Sequence, residues 1–294
     1  MTTPIIQTRQ NDNGLSFIDI SNEWAKASIC LQGAHICSFT PKGQNDLLWV
    51  SSEEGYVPGK AIRGGVPVCW PWFGAHPSDS NKGAHGLART ATWHFRHGET
   101  IQNATELTFE LNPDDIDRSQ FPHDFLLELR IGIGKTLTMT LTTHNQGGED
   151  FVISEALHTY FPVTHINDVR IVGTKGYRYY DNVKDAHFEQ DVFALNFTEE
   201  TDRVYLDCRP QVRLHDALKE LSITREGSRS LVIWNPWVEK SKALSNFKFD
   251  DYEHMVCIES ANARENQITV AAGALHSQTT QIELIQGNEK SEMD

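Results

Sequence analysis

Hydrophobic and polar residues alternate with a period of two along much of the chain. Apolar residues recur at every second position within residues 104–111, 127–133 and 137–141. That period places the apolar side chains on one face of a half-buried β-strand. Gly134 and Lys135 separate the last two runs, so this part of the chain predicts a β-hairpin with a glycine-containing turn.

Similar short runs continue through the chain, and clusters of Gly, Asn, Asp and Pro separate them. Helical periodicity over ten or more residues is hard to find. The sequence therefore predicts an all-β protein, a large antiparallel β-sandwich of two stacked sheets. Further strands are predicted at residues 16–20, 27–31, 35–39, 151–161, 169–173, 231–234, 255–260, 268–271 and 280–285.

The chain has no low-complexity linker, short-period repeat or shift in composition that would mark a domain boundary. We therefore expect one domain over residues 1–294. Residues 287–294 are polar and charged, which predicts a frayed tail.

The formal net charge of −14 argues against a general nucleic-acid binder and against a protein that binds anionic membranes. The N-terminus lacks a secretory signal pattern, and no apolar run approaches bilayer length. We expect a cytoplasmic monomer without nucleic-acid or membrane partners. An anionic ligand would have to be recognised locally.

Cysteine and histidine spacing gives no sign of a disulfide framework or a metal centre. The five cysteines include no Cys-x-x-Cys pair, and most lie in apolar, strand-like sequence, so buried free thiols are expected. His94 and His97 are the closest histidine pair, but their odd spacing on a strand would point the rings to opposite faces. We expect neither a metal nor a cofactor.

The segment 61–74 is the strongest candidate for a ligand site. Arg63 is followed by paired glycines, prolines and aromatic residues, and Arg89 follows in a second glycine-containing segment. A guanidinium held in such a loop matches the oxygens of a carboxylate or phosphate, and the glycines would let backbone donors approach the same ligand. The alternative is that both arginines are ordinary surface charges beside a turn.

His158 and Glu259 are candidates for proton transfer. His158 lies opposite the most apolar face of its predicted strand, and Glu259 ends an apolar strand. The alternatives are a structural histidine and a carboxylate that points to water. If the two groups flank opposite sides of a pocket, they suit the opening of a cyclic hemiacetal, in which one group removes a proton and the other delivers one.

Two further segments have features of sugar binding. Asp202 could accept hydrogen bonds from sugar hydroxyls, and Arg203 could pair with a phosphate or only with Asp202. Trp234 and Trp237 could stack on a sugar, although Trp234 could equally be core. The usual signatures of dinucleotide, ATP and serine-hydrolase sites are absent from the sequence.

Seven short motifs occur in a specific order from about residue 27 to residue 274. They are IRGGVPVCWPWFG, AHGLART, PHDF, ALHTYF, TDRVY, WNPW and MVCIES. In this order the chain resembles the glucose-6-phosphate 1-epimerase family of the aldose 1-epimerase superfamily. The resemblance implies a galactose mutarotase-like supersandwich that interconverts the anomers of hexose 6-phosphates without metal or cofactor.

The resemblance also implies roles for individual residues. His158 matches the family's general acid at the ring oxygen, and Glu259 matches its base at the anomeric hydroxyl. The residues implied in substrate binding are Arg63 and Arg89 at the phosphate, Asp202 at sugar hydroxyls and, as a weaker candidate, His85.

Two departures from the family bear on substrate preference. Ala84 stands where many relatives have Gln, and residues 260–263 replace a Pro-Gly found in some relatives. Two other functions therefore stay open: a mutarotase for unphosphorylated aldoses and a non-catalytic protein that binds sugar phosphates.

Overall fold

The structure is a computed structural model that describes residues 3–79 and 81–285. The predicted frayed tail at 287–294 lies outside the described residues. Nearly all regular structure in the described ranges is β-strand, and the longest helix is α1 (Trp237–Ser241). Four short 3₁₀ turns occur at Pro113–Asp115, Ile166–Asp168, Asp251–His254 and Arg264–Asn266.

The strands follow one another through the whole described chain. In order, they are β1 (Ile5–Gln10), β2 (Ser16–Ser21), β3 (Ala25–Cys30), β4 (His35–Pro41), β5 (Val68–Cys69), β6 (His94–Ile101), β7 (Ala104–Leu111), β8 (Phe125–Gly134), β9 (Leu137–Asn145), β10 (Phe151–Ile153), β11 (Glu155–Leu157), β12 (Tyr160–Pro162), β13 (Arg170–Val172), β14 (Arg178–Asp181), β15 (Ala186–Glu189), β16 (Ala194–Leu195), β17 (Thr201–Leu206), β18 (Gln211–His215), β19 (Glu220–Glu226), β20 (Ser230–Asn235), β21 (Met255–Asn262), β22 (Ile268–Val270) and β23 (Leu275–Ile285).

Two large antiparallel sheets contain most of these strands. The nine-stranded sheet has the order β16-β13-β18-β19-β23-β9-β8-β7-β6, and the eight-stranded sheet has the order β15-β14-β17-β20-β21-β11-β5, with β12 also paired to β21. A four-stranded sheet, β1-β2-β3-β4, and the pair β10-β22 complete the fold. The all-β antiparallel prediction is confirmed.

A single hydrophobic core joins the two large sheets. Leu129 and Met139 of the nine-stranded sheet belong to the same buried cluster as Ile233 and Ile258 of the eight-stranded sheet. The division into one domain stays a prediction, and this shared core supports it. Within the described residues, no helix is both long enough and apolar enough to cross a membrane.

The predicted hairpin is confirmed as β8 and β9, which are paired from Phe125 opposite Asn145 to Ile133 opposite Leu137. Several strands were not predicted, among them the internal strands β14, β18 and β19 and the edge strands β1, β6 and β15. The three edge strands have mostly exposed side chains, so their sequences show no clear alternation.

The predicted strand at 151–161 is instead three strands, β10, β11 and β12. Between them the backbone bonds to a different segment: Ser154 N–H donates to the Pro71 carbonyl and His158 N–H to the Pro67 carbonyl. On either side of the second break the register against β21 is the same, with Leu157 opposite Ser260 and Tyr160 opposite Cys257. The fold therefore keeps one register across this interruption.

The paired glycines serve close backbone packing. Gly65 has φ +59°, and a Cβ atom there would lie 2.2 Å from the Ile36 carbonyl oxygen. Its N–H donates to the Trp49 carbonyl at 2.7 Å, so this donor is used inside the fold. The Gly65 N–H is therefore not free for a ligand, because it holds the loop against Trp49.

We predict that Gly65→Ala destabilises the protein much more than Gly14→Ala. Both glycines have positive φ, but a Cβ at Gly14 would have no heavy atom within 4 Å. The left-handed conformation alone should cost Gly14→Ala about 1–2 kcal/mol, whereas backbone overlap should raise the cost of Gly65→Ala to about 3 kcal/mol or more. Chemical denaturation of both variants measures the difference, and equal costs would contradict the packing explanation.

Candidate active site

A cavity of about 820 Å³ opens on one face of the eight-stranded sheet. Loops that contain Arg63, His85 and residues 244–246 form its walls, and β17, β20 and β21 contribute to its floor. All six site residues predicted from the sequence line this cavity: Arg63, His85, Arg89, His158, Asp202 and Glu259.

His158 and Glu259 are in direct contact. The shared register of β11 and β12 against β21 sets His158 opposite Glu259, on the same face of the sheet. His158 Nε2 lies 3.3 Å from Glu259 Oε1, and the two side chains are 11% and 1% exposed. The two groups form one adjacent pair and do not flank opposite sides of the pocket, which was the arrangement considered from the sequence.

Burial controls the charge of this pair. It raises the pKa of Glu259 well above its usual range, and the negative charge of Asp202 adds to the rise. It lowers the pKa of His158 well below its usual range, and His85, Arg89 and Arg63 add to the fall. Without a ligand, both effects favour an uncharged imidazole beside an uncharged carboxyl group.

Aromatic rings fix the orientation of the His158 imidazole. The Tyr160 ring stacks on it at 4.9 Å between centroids with an interplanar angle of 10°, and Trp234 contacts it edge-on at 6.1 Å. The His85 ring lies on another side, 5.6 Å away. Packing on several sides leaves the imidazole little freedom to leave Glu259.

His85 is a neutral hydrogen-bond donor in this cavity. Burial lowers the pKa of His85 to about 3, and Arg89 and Arg63 add to the fall. The Gly74 N–H donates to Nδ1 of His85 at 3.4 Å, which places the ring proton on Nε2. His85 therefore has one N–H available for a ligand oxygen.

Arg63 and Arg89 provide positive charge without a protein counterion. Among residues 3–79 and 81–285, neither guanidinium forms an ion pair with a carboxylate. Arg63 Nε is buried without a hydrogen-bond partner, and Arg89 Nη2 donates to the Ala84 carbonyl at 2.6 Å. Two half-buried cations of this kind form an anion site.

Asp202 is held by a short hydrogen-bonded chain. Asn182 Nδ2 donates to Asp202 Oδ1 at 2.7 Å, and Arg264 Nη2 donates to Asn182 Oδ1 at 2.5 Å. Burial raises the pKa of Asp202, and the hydrogen bond from Asn182 opposes that rise. Arg203 points elsewhere, to Gln190 at 3.0 Å, so it neither lines the cavity nor balances Asp202.

Several cavity residues were not singled out in the sequence, among them Asn182, Lys240 and Lys60. Each belongs to a different segment, and no motif spacing connects them. Of the two proposed stacking tryptophans, Trp234 lines the cavity, whereas Trp237 packs on Tyr252.

All five cysteines are free and buried, as predicted. Cys257 lies beside the acid–base pair, and donor atoms of His158, Cys257 and Glu259 all fall within 4.8 Å of one another. The histidine pair noted in the sequence is not a cluster, because His94 contacts Asp115 at 2.8 Å and His97 lies 3.8 Å from Glu99.

Comparison with known proteins identifies relatives over nearly the whole chain. The family model for aldose 1-epimerase matches residues 16–283. A Salmonella typhimurium protein named "Putative glucose-6-phosphate 1-epimerase" is 36% identical over 270 residues, which cover 90% of this chain and 89% of the relative.

Solved structures show the same fold. The crystal structure of YeaD from Salmonella typhimurium, described as a "putative mutarotase", has a TM-score of 0.89 and 32% identity, covering 96% of this chain and 94% of that chain. A galactose mutarotase-like protein from Clostridium acetobutylicum is 13% identical with a TM-score of 0.71, covering 96% and 98%. The second likeness concerns the fold alone, and the predicted galactose mutarotase-like sandwich is confirmed. Together with the family match over residues 16–283, these relatives show that the chain is a sugar epimerase of the aldose 1-epimerase family.

Proposed function

We propose that this protein interconverts the α and β anomers of a hexose 6-phosphate, with glucose 6-phosphate as the first candidate. The observation that carries the proposal is the content of one cavity: a histidine–carboxylate pair in contact, beside two arginines without protein counterions. The name of the Salmonella typhimurium relative points to the same substrate.

The adjacency of His158 and Glu259 suits the chemistry of anomer exchange. The anomeric hydroxyl oxygen O1 and the ring oxygen O5 are bonded to the same carbon, so the groups that serve them must also be neighbours. Glu259 takes the proton from O1 while His158 gives a proton to O5. The C1–O5 bond breaks, and the electron pair of the O1–H bond forms the aldehyde.

Ring closure returns both protons. Rotation about C1–C2 presents the other face of the aldehyde to O5, which attacks C1 as His158 removes its proton. Glu259 then returns a proton to O1. The enzyme ends with the protons it began with, and the sugar leaves as the other anomer.

The phosphate has two roles in this proposal. Arg63 and Arg89 bind it, because both guanidinium groups line the cavity and neither pairs with a carboxylate among the described residues. The bound dianion also offsets the positive charges that lower the pKa of His158. The charge of the bound dianion therefore favours a protonated His158, the form that gives a proton to O5.

The other cavity residues would read the hydroxyl groups. Asp202, held by Asn182, accepts hydrogen bonds from sugar hydroxyls, and His85 Nε2–H donates one. Trp234 offers an apolar wall for the carbon face of the ring. These contacts would hold C1 against the His158–Glu259 pair.

We also propose that the protein acts as a cytoplasmic monomer. All six site residues come from one chain, so the cavity needs no second subunit to supply them. Five free thiols suit a reducing compartment, and phosphorylated hexoses are intracellular metabolites.

We expect His158→Ala and Glu259→Gln each to reduce the catalysed anomer exchange of glucose 6-phosphate about 10²- to 10⁴-fold, since each removes one proton carrier. Saturation-transfer NMR between the two anomeric protons measures the rate. His276→Ala is the control, because His276 and Glu155 form a similar buried pair at 3.0 Å outside the cavity. Wild-type protein that leaves exchange at its spontaneous rate, yet binds the phosphosugar, would indicate a non-catalytic binding protein.

Arg63→Ala and Arg89→Ala should raise KM for glucose 6-phosphate by about 30-fold or more, the lower end expected for loss of a partly desolvated charge pair. Exchange of unphosphorylated glucose should change little. Arg96→Ala is a matched control, because Arg96 pairs with Glu110 at the edge of the other sheet. If both cavity variants keep the wild-type preference for the phosphorylated sugar, the arginines do not bind phosphate.

Asp202→Asn should move the acidic limb of the kcat/KM profile to lower pH. The Asp202 carboxylate raises the pKa of Glu259, so replacing it with a neutral amide lets Glu259 lose its proton more easily. Titration of the substrate phosphate affects the profiles of the wild type and of Asp202→Asn equally, so it does not contribute to the difference between them. Asp207→Asn, which alters a surface carboxylate paired with Arg229, should leave the limb in place. If the acidic limb of the kcat/KM profile stays in place in Asp202→Asn, the Asp202 carboxylate does not raise the pKa of Glu259.

A further inference from the structure

Cys257 has no part in the proposed anomer exchange, yet it lies within reach of the two residues that do. Alternation along β21 puts Cys257 and Glu259 on the same face. The register places Tyr160 and Trp234 on either side of Cys257, and both of these line the cavity. The thiol is thus fully buried behind two residues of the cavity wall, one pleat from the carboxyl group.

We propose that His158, Cys257 and Glu259 form a binding site for a thiophilic divalent metal ion such as Zn²⁺, and that the ion inhibits the enzyme. The three side chains offer an imidazole nitrogen, a thiol sulfur and a carboxylate oxygen, all within 4.8 Å of one another. Such a set of borderline and soft donors selects zinc or cadmium over magnesium or calcium.

The spacing of the His158–Glu259 pair fits a tetrahedral ion. Zinc bonds of about 2.0–2.2 Å to nitrogen and oxygen put two such ligands about 3.4 Å apart. His158 Nε2 and Glu259 Oε1 are already 3.3 Å apart. The Cys257 sulfur needs to approach by about 1 Å to reach the separation of a tetrahedral nitrogen–sulfur pair.

Two buried atoms of the cluster have no partner within the part of the chain described. Glu259 Oε2 and His158 Nδ1 make no hydrogen bond. An unsatisfied buried carboxylate oxygen favours any cation that enters, whether a proton or a metal ion. The cavity in front of the pair leaves room for a water molecule or an anion as the fourth ligand.

The charge balance explains why the thiol is needed. Arg63 and Arg89 add positive charge near His158, which opposes a divalent cation. Coordination replaces the proton on the Cys257 thiol and on the Glu259 carboxyl group, because both groups bind a metal ion in their deprotonated forms. The resulting thiolate and carboxylate neutralise the ion, whereas a site without Cys257 would leave a net positive charge.

Zinc binding can be measured without any sugar, so this inference can fail or succeed independently of the proposed function. Calorimetry should give one zinc site on the wild-type protein that Mg²⁺ does not fill. Cobalt(II) at the same site should produce a near-ultraviolet thiolate charge-transfer band. Zinc should inhibit anomer exchange and compete with glucose 6-phosphate, and a chelator should restore the rate.

Cys257→Ala should weaken zinc binding about 10- to 100-fold or more, since loss of even an outer-shell partner has an effect of that size. The variant should keep its anomer exchange and become resistant to zinc. Cys69→Ala is the matched control, because Cys69 is equally buried in the same sheet but outside the donor cluster. Cys257→Ser provides a second test if the alanine variant is unstable.

Three results would overturn the inference. They are equal zinc affinity in the wild type and in both Cys257 variants, a wild-type cobalt spectrum without a thiolate band, and an equal loss of affinity in Cys69→Ala. Loss of zinc binding in Cys257→Ala together with retained anomer exchange would support it.

Discussion

The geometry of the site depends on a single cross-strand register. His158 lies in the two-residue break between β11 and β12, where the register against β21 continues without a slip, and this register sets the imidazole against Glu259. A slip of one residue would turn one of these side chains to the other face of the sheet. The hydrogen bond from the His158 N–H to the Pro67 carbonyl holds the backbone at this break, and it therefore helps to position the imidazole beside Glu259.

The unpaired positive charge in the cavity determines which ligands this site binds. Burial disfavours charge on the His158–Glu259 pair, while Arg63 and Arg89 keep their charges without a carboxylate partner among the described residues. A ligand with a dianionic end supplies the missing counterion and at the same time makes a protonated His158 easier to form. Binding and proton transfer are thus coupled through charge, without any need for a moving segment.

The alternation of apolar and polar residues predicted the β-sheets and the face on which each candidate residue lies. It could do so because a strand buried on one side has an apolar residue at every second position. It could not give the register of β11 and β12 against β21, which are about a hundred residues apart. It also missed edge strands such as β6, whose side chains are mostly exposed. Asn182 and Lys60 lie outside every motif noted in the sequence, and their place in the cavity follows from tertiary packing alone.

The cavity walls come from widely separated parts of the chain, from Arg63 near the beginning to Glu259 near the end. No shorter segment contains the site, so a sugar phosphate can bind only to the completed fold. By mass action, ligand occupancy then lowers the free energy of the native state and leaves the unfolded chain unaffected. At a high cellular concentration of this metabolite, a larger fraction of the protein would be folded than at a low concentration. The abundance of the enzyme would then follow the concentration of its substrate.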